Sequence, residues 1–172
     1  EMTSTGLKEV PDPTKAFLEN RQEKPIGSCL TVTIEGSRPL IIEIQALTNK
    51  SHFGYPKRAT SGFDLNRLQL LIAVLQKHAK IDLSQHDVYV NVVGGLKVKD
   101  PAIDLAVCLA ILSSHKKFPL PEKLVACGEL GLSGEIRKGF RYADREKAAQ
   151  KANLTVLPIK NLLHQVISGV TK

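Results

Sequence analysis

Hydrophobic positions along the chain repeat with two periods, and each predicts a different element. Leu30-Thr31-Val32-Thr33-Ile34 alternates, Glu35-Gly36-Ser37 interrupts, and Leu40-Ile41-Ile42-Glu43-Ile44-Gln45-Ala46-Leu47 resumes. Two β-rich runs around a glycine turn predict a β-hairpin, the second run buried on at least one face. Residues 48–63 mix His52, Phe53, Gly54, Tyr55, Pro56, Lys57, Arg58 and Gly62, which predicts one long loop. The period then changes. Leu65, Leu68, Ile72, Leu75 and Ala79 step by three and four residues and mark one helical face. Leu70, Leu71, Ala73 and Val74 widen it, so this helix is expected to be central. Asp64 is its expected N-cap, and Lys77, His78 and Lys80 suit the negative end of its dipole.

Val88–Val93 reads as a strand ended by Gly94-Gly95. Asp100-Pro101 places a capping carboxylate before a proline at the first helical position, and the helix continues to about Ser114, apolar nearly all round. Leu124–Cys127 is a short strand, 128–136 a glycine-punctuated hairpin and Tyr142–Ala152 a helix with a charged outer face. Leu154–Leu157 is a strand closed by Pro158, and Leu162–Ile167 is the last apolar piece. Near the start, Pro11, Pro13 and Pro25 punctuate a lead-in with one helical turn at Lys15–Glu19. Strands come first and then alternate with helices, so the expected class is α+β or α/β with a mixed sheet.

Composition narrows the picture. The 172 residues are 42% hydrophobic and 24% charged, which suits one globular domain. No apolar run approaches the roughly 20 residues of a membrane span. Glu1-Met2-Thr3-Ser4-Thr5 lacks the basic and apolar stretches of a signal peptide, and a chain beginning with Glu is expected to be part of something longer. Cys29, Cys108 and Cys127 are few, odd in number and set among apolar residues. That fits reduced thiols and a cytoplasmic location. No Cys-x-x-Cys pair is present, so no structural zinc is expected here.

The net charge of +7 is uneven: −1 over residues 1–50, +3 over 51–100 and +5 over 101–172. An excess of this kind suits a polyanion. Its groups are Lys57-Arg58 in the long loop, Lys97 and Lys99 around Val98, and Arg137, Lys138 and Arg141 after the hairpin. Lys116-Lys117 at a helix end answers the dipole. Each group has two readings, a solvated surface or a phosphate contact, and sequence does not show whether they converge. No Gly-x-x-x-x-Gly-Lys-Ser/Thr phosphate loop exists, and Gly128, Gly131 and Gly134 read as turn glycines. His52, His78, His86, His115 and His164 are scattered without the spacing of a metal site.

Several blocks carry a resemblance. Gly6–Val10, Gly36-Ser37-Arg38-Pro39-Leu40, Glu43–Leu47, Phe53-Gly54-Tyr55-Pro56-Lys57-Arg58, Gly62–Leu68, Val90–Gly95, Asp104–Val107 and Gly128–Arg137 follow in order. Together they resemble the C-terminal, Lon-protease-like part of the bacterial RadA (Sms) family across nearly the whole chain. The resemblance implies a mixed sheet with packed helices, the Lon proteolytic domain or ribosomal protein S5 domain 2-like fold. It divides the chain into a 1–25 lead-in from a preceding ATPase core and a 26–172 Lon-like domain, clipped at its C-terminal end. ATP, magnesium and zinc would belong to the missing N-terminal parts, and no cofactor to this fragment.

Lon proteases use a Ser-Lys dyad, in which the amine assists loss of the serine proton. Matched on the family's proline, Ala102 stands at the serine position. Matched on Gly128-Glu129 and Gly134, Ala143 stands at the lysine position. Methyl groups neither attack nor accept a proton, so proteolysis is not expected. The resemblance implies a DNA-binding and hexamer-assembly platform for an ATP-dependent branch-migration motor in recombinational repair. Single-stranded and branched DNA and a ring of its own copies would be its partners, a recombinase a further candidate, and no membrane. Lys57, Arg58, Arg67, Lys97 and Arg137 are the expected DNA contacts. Arg67 also has a packing reading, its stem lying across a helix interface. Asn66, Gly94 and Gly95 are read as structural. The competing functions are a partner-binding module with an inactive protease groove, or a residual peptidase.

Overall fold

Strand pairing follows from the alternation. In a computed structural model that describes residues 2–3, 6–7, 25–52, 54–159 and 162–170, the expected hairpin forms and is longer than its apolar runs. Its strands are β3 (Ser28–Glu35) and β4 (Arg38–Lys50), antiparallel from Ser28↔Gln45 to Glu35↔Arg38. Ahead of them, β1 (Met2–Thr3) and β2 (Gly6–Leu7) pair with each other. The turn expected at Lys15–Glu19 and the aromatic Phe53 lie outside the described residues.

The long loop expected over 48–63 is not a single loop. β4 runs on to Lys50, and Arg58–Ser61 forms β5, parallel to β6 (His86–Val92). β5 is short and half-exposed, so its side chains carry little hydrophobic signal. Its partner supplies the order: Arg58 to Ser61 pair with Val88 to Asn91. The remaining elements match their patterns. They are α1 (Leu65–Ala79), a 3-10 turn (Pro101–Ile103) leading into α2 (Asp104–Lys116), β7 (Leu124–Val125), β8 (Glu129–Leu130) and β9 (Ile136–Arg137). Then come α3 (Tyr142–Lys151), β10 (Thr155–Val156) and α4 (Leu163–Val170). The six-stranded mixed sheet has the order β10-β7-β3-β4-β6-β5, with β8 and β9 a separate hairpin. The chain is therefore α+β with a mixed sheet, and four α-helices stand among the described residues.

One face of the sheet carries the main core. There α1 buries Leu68, Leu71, Ile72, Val74 and Leu75, and α2 is buried continuously from Asp104 to Ser113. Each such aliphatic side chain contributes roughly 1.5–3 kcal/mol on leaving water. The other face packs Leu30, Val32, Ile41, Val125 and Cys127 against Ala149 of α3. Beyond α3 no element among the described residues covers this second face, and Leu47 there is 60% exposed. Cys29, Cys108 and Cys127 are all buried and none forms a disulfide. Among the described residues no helix is long and apolar enough to cross a membrane.

Candidate functional site

The basic residues are placed by the ends of β5, α1 and the 94–100 segment. Gly62 closes β5 with φ +76°, and an ideal Cβ there would lie 2.2 Å from the Leu96 carbonyl oxygen. Only glycine admits that approach. The Val98 amide donates to the Gly62 carbonyl at 2.9 Å, which fixes the segment beside the start of α1. Val98 is buried, while Lys97 and Lys99 on either side of it are exposed. Asp64 caps α1 by accepting from the Arg67 amide at 2.7 Å, and Asp100 accepts from the Ala102 amide at 3.0 Å. Between these parts lies a cavity of about 490 Å³, lined by residues 62–64, Arg67, 97–101 and Asp104.

Two Arg–Asp pairs bound this region. Arg67 Nε donates to Asp104 Oδ1 at 3.1 Å, its Nη2 bonds Asp104 Oδ2, and the same Nη2 donates to the Leu130 carbonyl at 2.8 Å. The Leu130 amide donates back to Asp104 Oδ2 at 3.1 Å. Burial pushes the Asp104 carboxyl above the usual carboxylate range, against the pull of Arg67. Its hydrogen bonds to Asp104 raise the Arg67 pKa. On the other side, Arg145 is buried and donates from Nη1 to Asp100 Oδ2 at 2.7 Å, while its Nε reaches the Phe140 carbonyl at 2.9 Å. Asp100 Oδ2 also accepts from the Thr33 hydroxyl and the Ile34 amide, each at 3.2 Å.

The expected contact residues are sorted by this geometry. Lys97 and Arg67 line the same cavity. Arg67 is half-buried and its guanidinium is held by Asp104 and Leu130. Arg137 sits on β9 with its head mostly exposed, beside Glu135 at 2.8 Å. Lys57 is exposed, and its amide donates to Asp87 at 2.7 Å. Arg58 starts β5 rather than standing in a loop. It reaches the backbone carbonyls of His86, of Leu83 at 2.9 Å and of Lys57 at 3.0 Å, and desolvation lowers its pKa. Lys57 and Arg58 lie at the opposite end of β5 from Gly62, roughly 13–16 Å along the strand at its usual rise.

Lys99 completes the cavity mouth and was not among the expected contacts. Its signal was the polar-apolar-polar alternation Lys97-Val98-Lys99, too short to read by periodicity. Asp100 was likewise read only as a cap, and Arg145 was not singled out within its helix. The two positions that the resemblance matches to the dyad differ in exposure. Ala102 is 1% exposed, and an ideal Cβ on Gly139 would lie 2.4 Å from its Cβ. Ala143 is exposed on α3. The histidines are not all independent: the rings of His86 and His115 meet edge to face at 4.7 Å. Among the described residues no group of three or more His, Cys, Asp or Glu side chains is placed to hold a metal ion.

Comparison with known proteins adds two findings. The family model described as subunit ChlI of Mg-chelatase matches residues 57–161. Proteins named DNA repair protein RadA match nearly all of the chain. The protein from Rickettsia bellii is 42% identical over 99% of this chain and 39% of its own length. That from Pseudomonas aeruginosa is 44% identical over 98% and 38%. That from Streptococcus pneumoniae is 46% identical over 99% and 40%. The chain therefore spans about two fifths of the length of these relatives.

Proposed function

Since the chain belongs to the family described as subunit ChlI of Mg-chelatase, and its curated relatives are named for DNA repair, we propose that it serves as a non-proteolytic, Lon-like platform for DNA in recombinational repair. ATP hydrolysis and branch migration would belong to the longer protein of which it forms a part. No phosphate loop stands in these 172 residues.

The observation that carries the DNA reading is the pair Lys97 and Lys99. Both are exposed and, among the described residues, neither is held by a hydrogen bond or ion pair, whereas the guanidiniums of Arg58, Arg67 and Arg145 are consumed within the fold. Phosphate contact needs cations whose counterions can be released, and free ammonium groups meet that need. Lys57 and Arg137 add exposed charge, Arg137 through a surface pair with Glu135 that is worth little. For the non-proteolytic part, support comes from the methyl side chains of Ala102 and Ala143 and the closure of Gly139 over Ala102. That closure also disfavours a partner-binding groove at this position. For assembly into a ring, support comes from the uncovered sheet face around Leu47, which is neutral and faces a neighbouring copy in this reading.

A salt titration of duplex and single-stranded DNA binding tests the platform. A phosphate-driven site gives a steep linear fall of log K with log salt. Replacing Lys57, Lys97 and Lys99 by alanine lowers the slope by about two to three. Absence of binding, or binding that ignores salt, overturns it. Casein turnover abolished by a substitution in this chain overturns the non-proteolytic part.

A further inference from the structure

The 490 Å³ cavity is larger than a phosphate contact needs. A surface that only tracks a nucleic-acid backbone requires exposed cations and no hollow behind them. Here the hollow is lined by the apolar Phe63, Val98 and Pro101 and by the two exposed lysines. Phe63 is half-buried and rests on the main core, so its ring is held in place rather than free.

Two of the carboxylates lining the cavity are paired, one of them with Arg145 from outside the lining. Arg67 is taken by Asp104, and Asp100 by Arg145. What remains is Lys97 and Lys99 against Asp64, a net of one positive charge. A phosphodiester carries one negative charge, whereas a free nucleoside triphosphate carries three or more. Asp64 has one further feature. Its Oδ1 caps α1, while Oδ2 makes no hydrogen bond among the described residues. A carboxylate oxygen can only accept, so it suits a ligand with an N–H donor.

We infer that this cavity receives one nucleotide unit of a DNA single strand, its phosphodiester at Lys97 and Lys99 and its base against Phe63, Val98 and Pro101. The inference rests on the DNA reading above and adds to it a base-dependent contact. Adenine, cytosine and guanine offer an exocyclic amino group to Asp64 Oδ2, and thymine offers only its ring N–H. The site is therefore expected to prefer amino-bearing bases over thymine. Stacking on a held aromatic ring makes the contact base-dependent but tolerant of base identity.

The test is an amide-shift NMR titration of the 172-residue chain with the dinucleotide dCpC. Shifts confined to residues 62–67 and 97–101 are expected. The same phosphodiester carrying two abasic sugars should bind at least fivefold more weakly, the loss typical of one stacked base. The dinucleotide dTpT should fall between the two. Lys97→Ala with Lys99→Ala should remove the shifts, and these exposed side chains leave the fold intact. Equal binding of the abasic analogue, or shifts centred elsewhere, overturns the inference. Tighter binding of deoxycytidine monophosphate than of dCpC also overturns it, because the cavity would then serve a free nucleotide. The two readings fail separately. Salt-dependent duplex binding without dinucleotide shifts sinks the cavity alone, and dinucleotide shifts without duplex binding sink the platform alone.

Discussion

Replacing Arg67 by methionine separates its two roles, because the guanidinium either holds Asp104 or meets DNA. Asp104 is fully buried at the start of α2, and its partners are Arg67 and the Leu130 amide. Methionine keeps the stem's packing and removes the charge. Breaking a buried ion pair by deleting one partner costs about 3–5 kcal/mol, since the other charge is stranded. The Arg67 side chain is 28% exposed, so water reaches one side of the pair and the lower end applies. A loss of about 3 kcal/mol lowers Tm by about 6–12 °C in a domain of this size. The loss has a pH signature. Burial already raises the Asp104 carboxyl, and losing the guanidinium raises it further. A carboxyl whose folded pKa exceeds its unfolded value near about 3.9 gives stability below that value and loses it as pH rises through the folded pKa. The variant should therefore be least impaired in mild acid and most impaired near neutrality. Urea unfolding of both proteins across that range reads the effect. A loss under about 1 kcal/mol that does not change with pH refutes the structural role, because a stranded buried charge must show both. Well below the transition, DNA affinity should match the parent if Arg67 acts inside the fold.

Other outcomes follow from the same geometry. Asp64→Ala removes the side-chain cap of α1 and should cost about 1 kcal/mol, seen as an earlier urea midpoint without a change in slope. Gly62→Ala forces a Cβ toward the Leu96 carbonyl at positive φ and should destabilise by well over about 1 kcal/mol, with the shifts of residues 96–99 disturbed in NMR spectra. His115 has its pKa lowered by burial and then by His86 and Lys116. Its folded pKa lies below the unfolded value near about 6.5, so its contribution is present above that pH and lost as pH falls through the folded value. His115→Gln should flatten the decline in Tm between neutral and mildly acid pH; an unchanged decline would assign it to other groups. Arg145→Met strands Asp100 and should lower Tm by at least as much as Arg67→Met, since Arg145 is the more buried of the two.

Most elements were legible in the sequence because their local chemistry agreed with their burial. The heptad-like steps of α1, the Asp64 and Asp100 caps and the β3–β4 alternation each depend on neighbours a few residues away. β5 was not legible. Its four residues, Arg58-Ala59-Thr60-Ser61, contain no apolar stripe, and their extended form depends on pairing with β6 thirty residues on. The basic residues show the same limit. Composition located a positive excess after residue 50, and the resemblance attached DNA to it. Neither could tell Arg58 and Arg67, whose heads are spent on carbonyls and a buried carboxylate, from Lys97 and Lys99, which are exposed and without a partner among the described residues.

By itself the sequence determined the helical and strand periods, the absence of a phosphate loop and the alanines at positions 102 and 143. These are properties of residue identity and short spacing. Only the tertiary structure decided which charges face solvent, because Arg67 meets Asp104 across 37 positions and Arg145 meets Asp100 across 45. It also decided that Gly62 and Leu96 touch, which brings Lys97 and Lys99 to the mouth of a cavity. Contacts of that span follow from how the sheet and helices pack, and no local pattern encodes them.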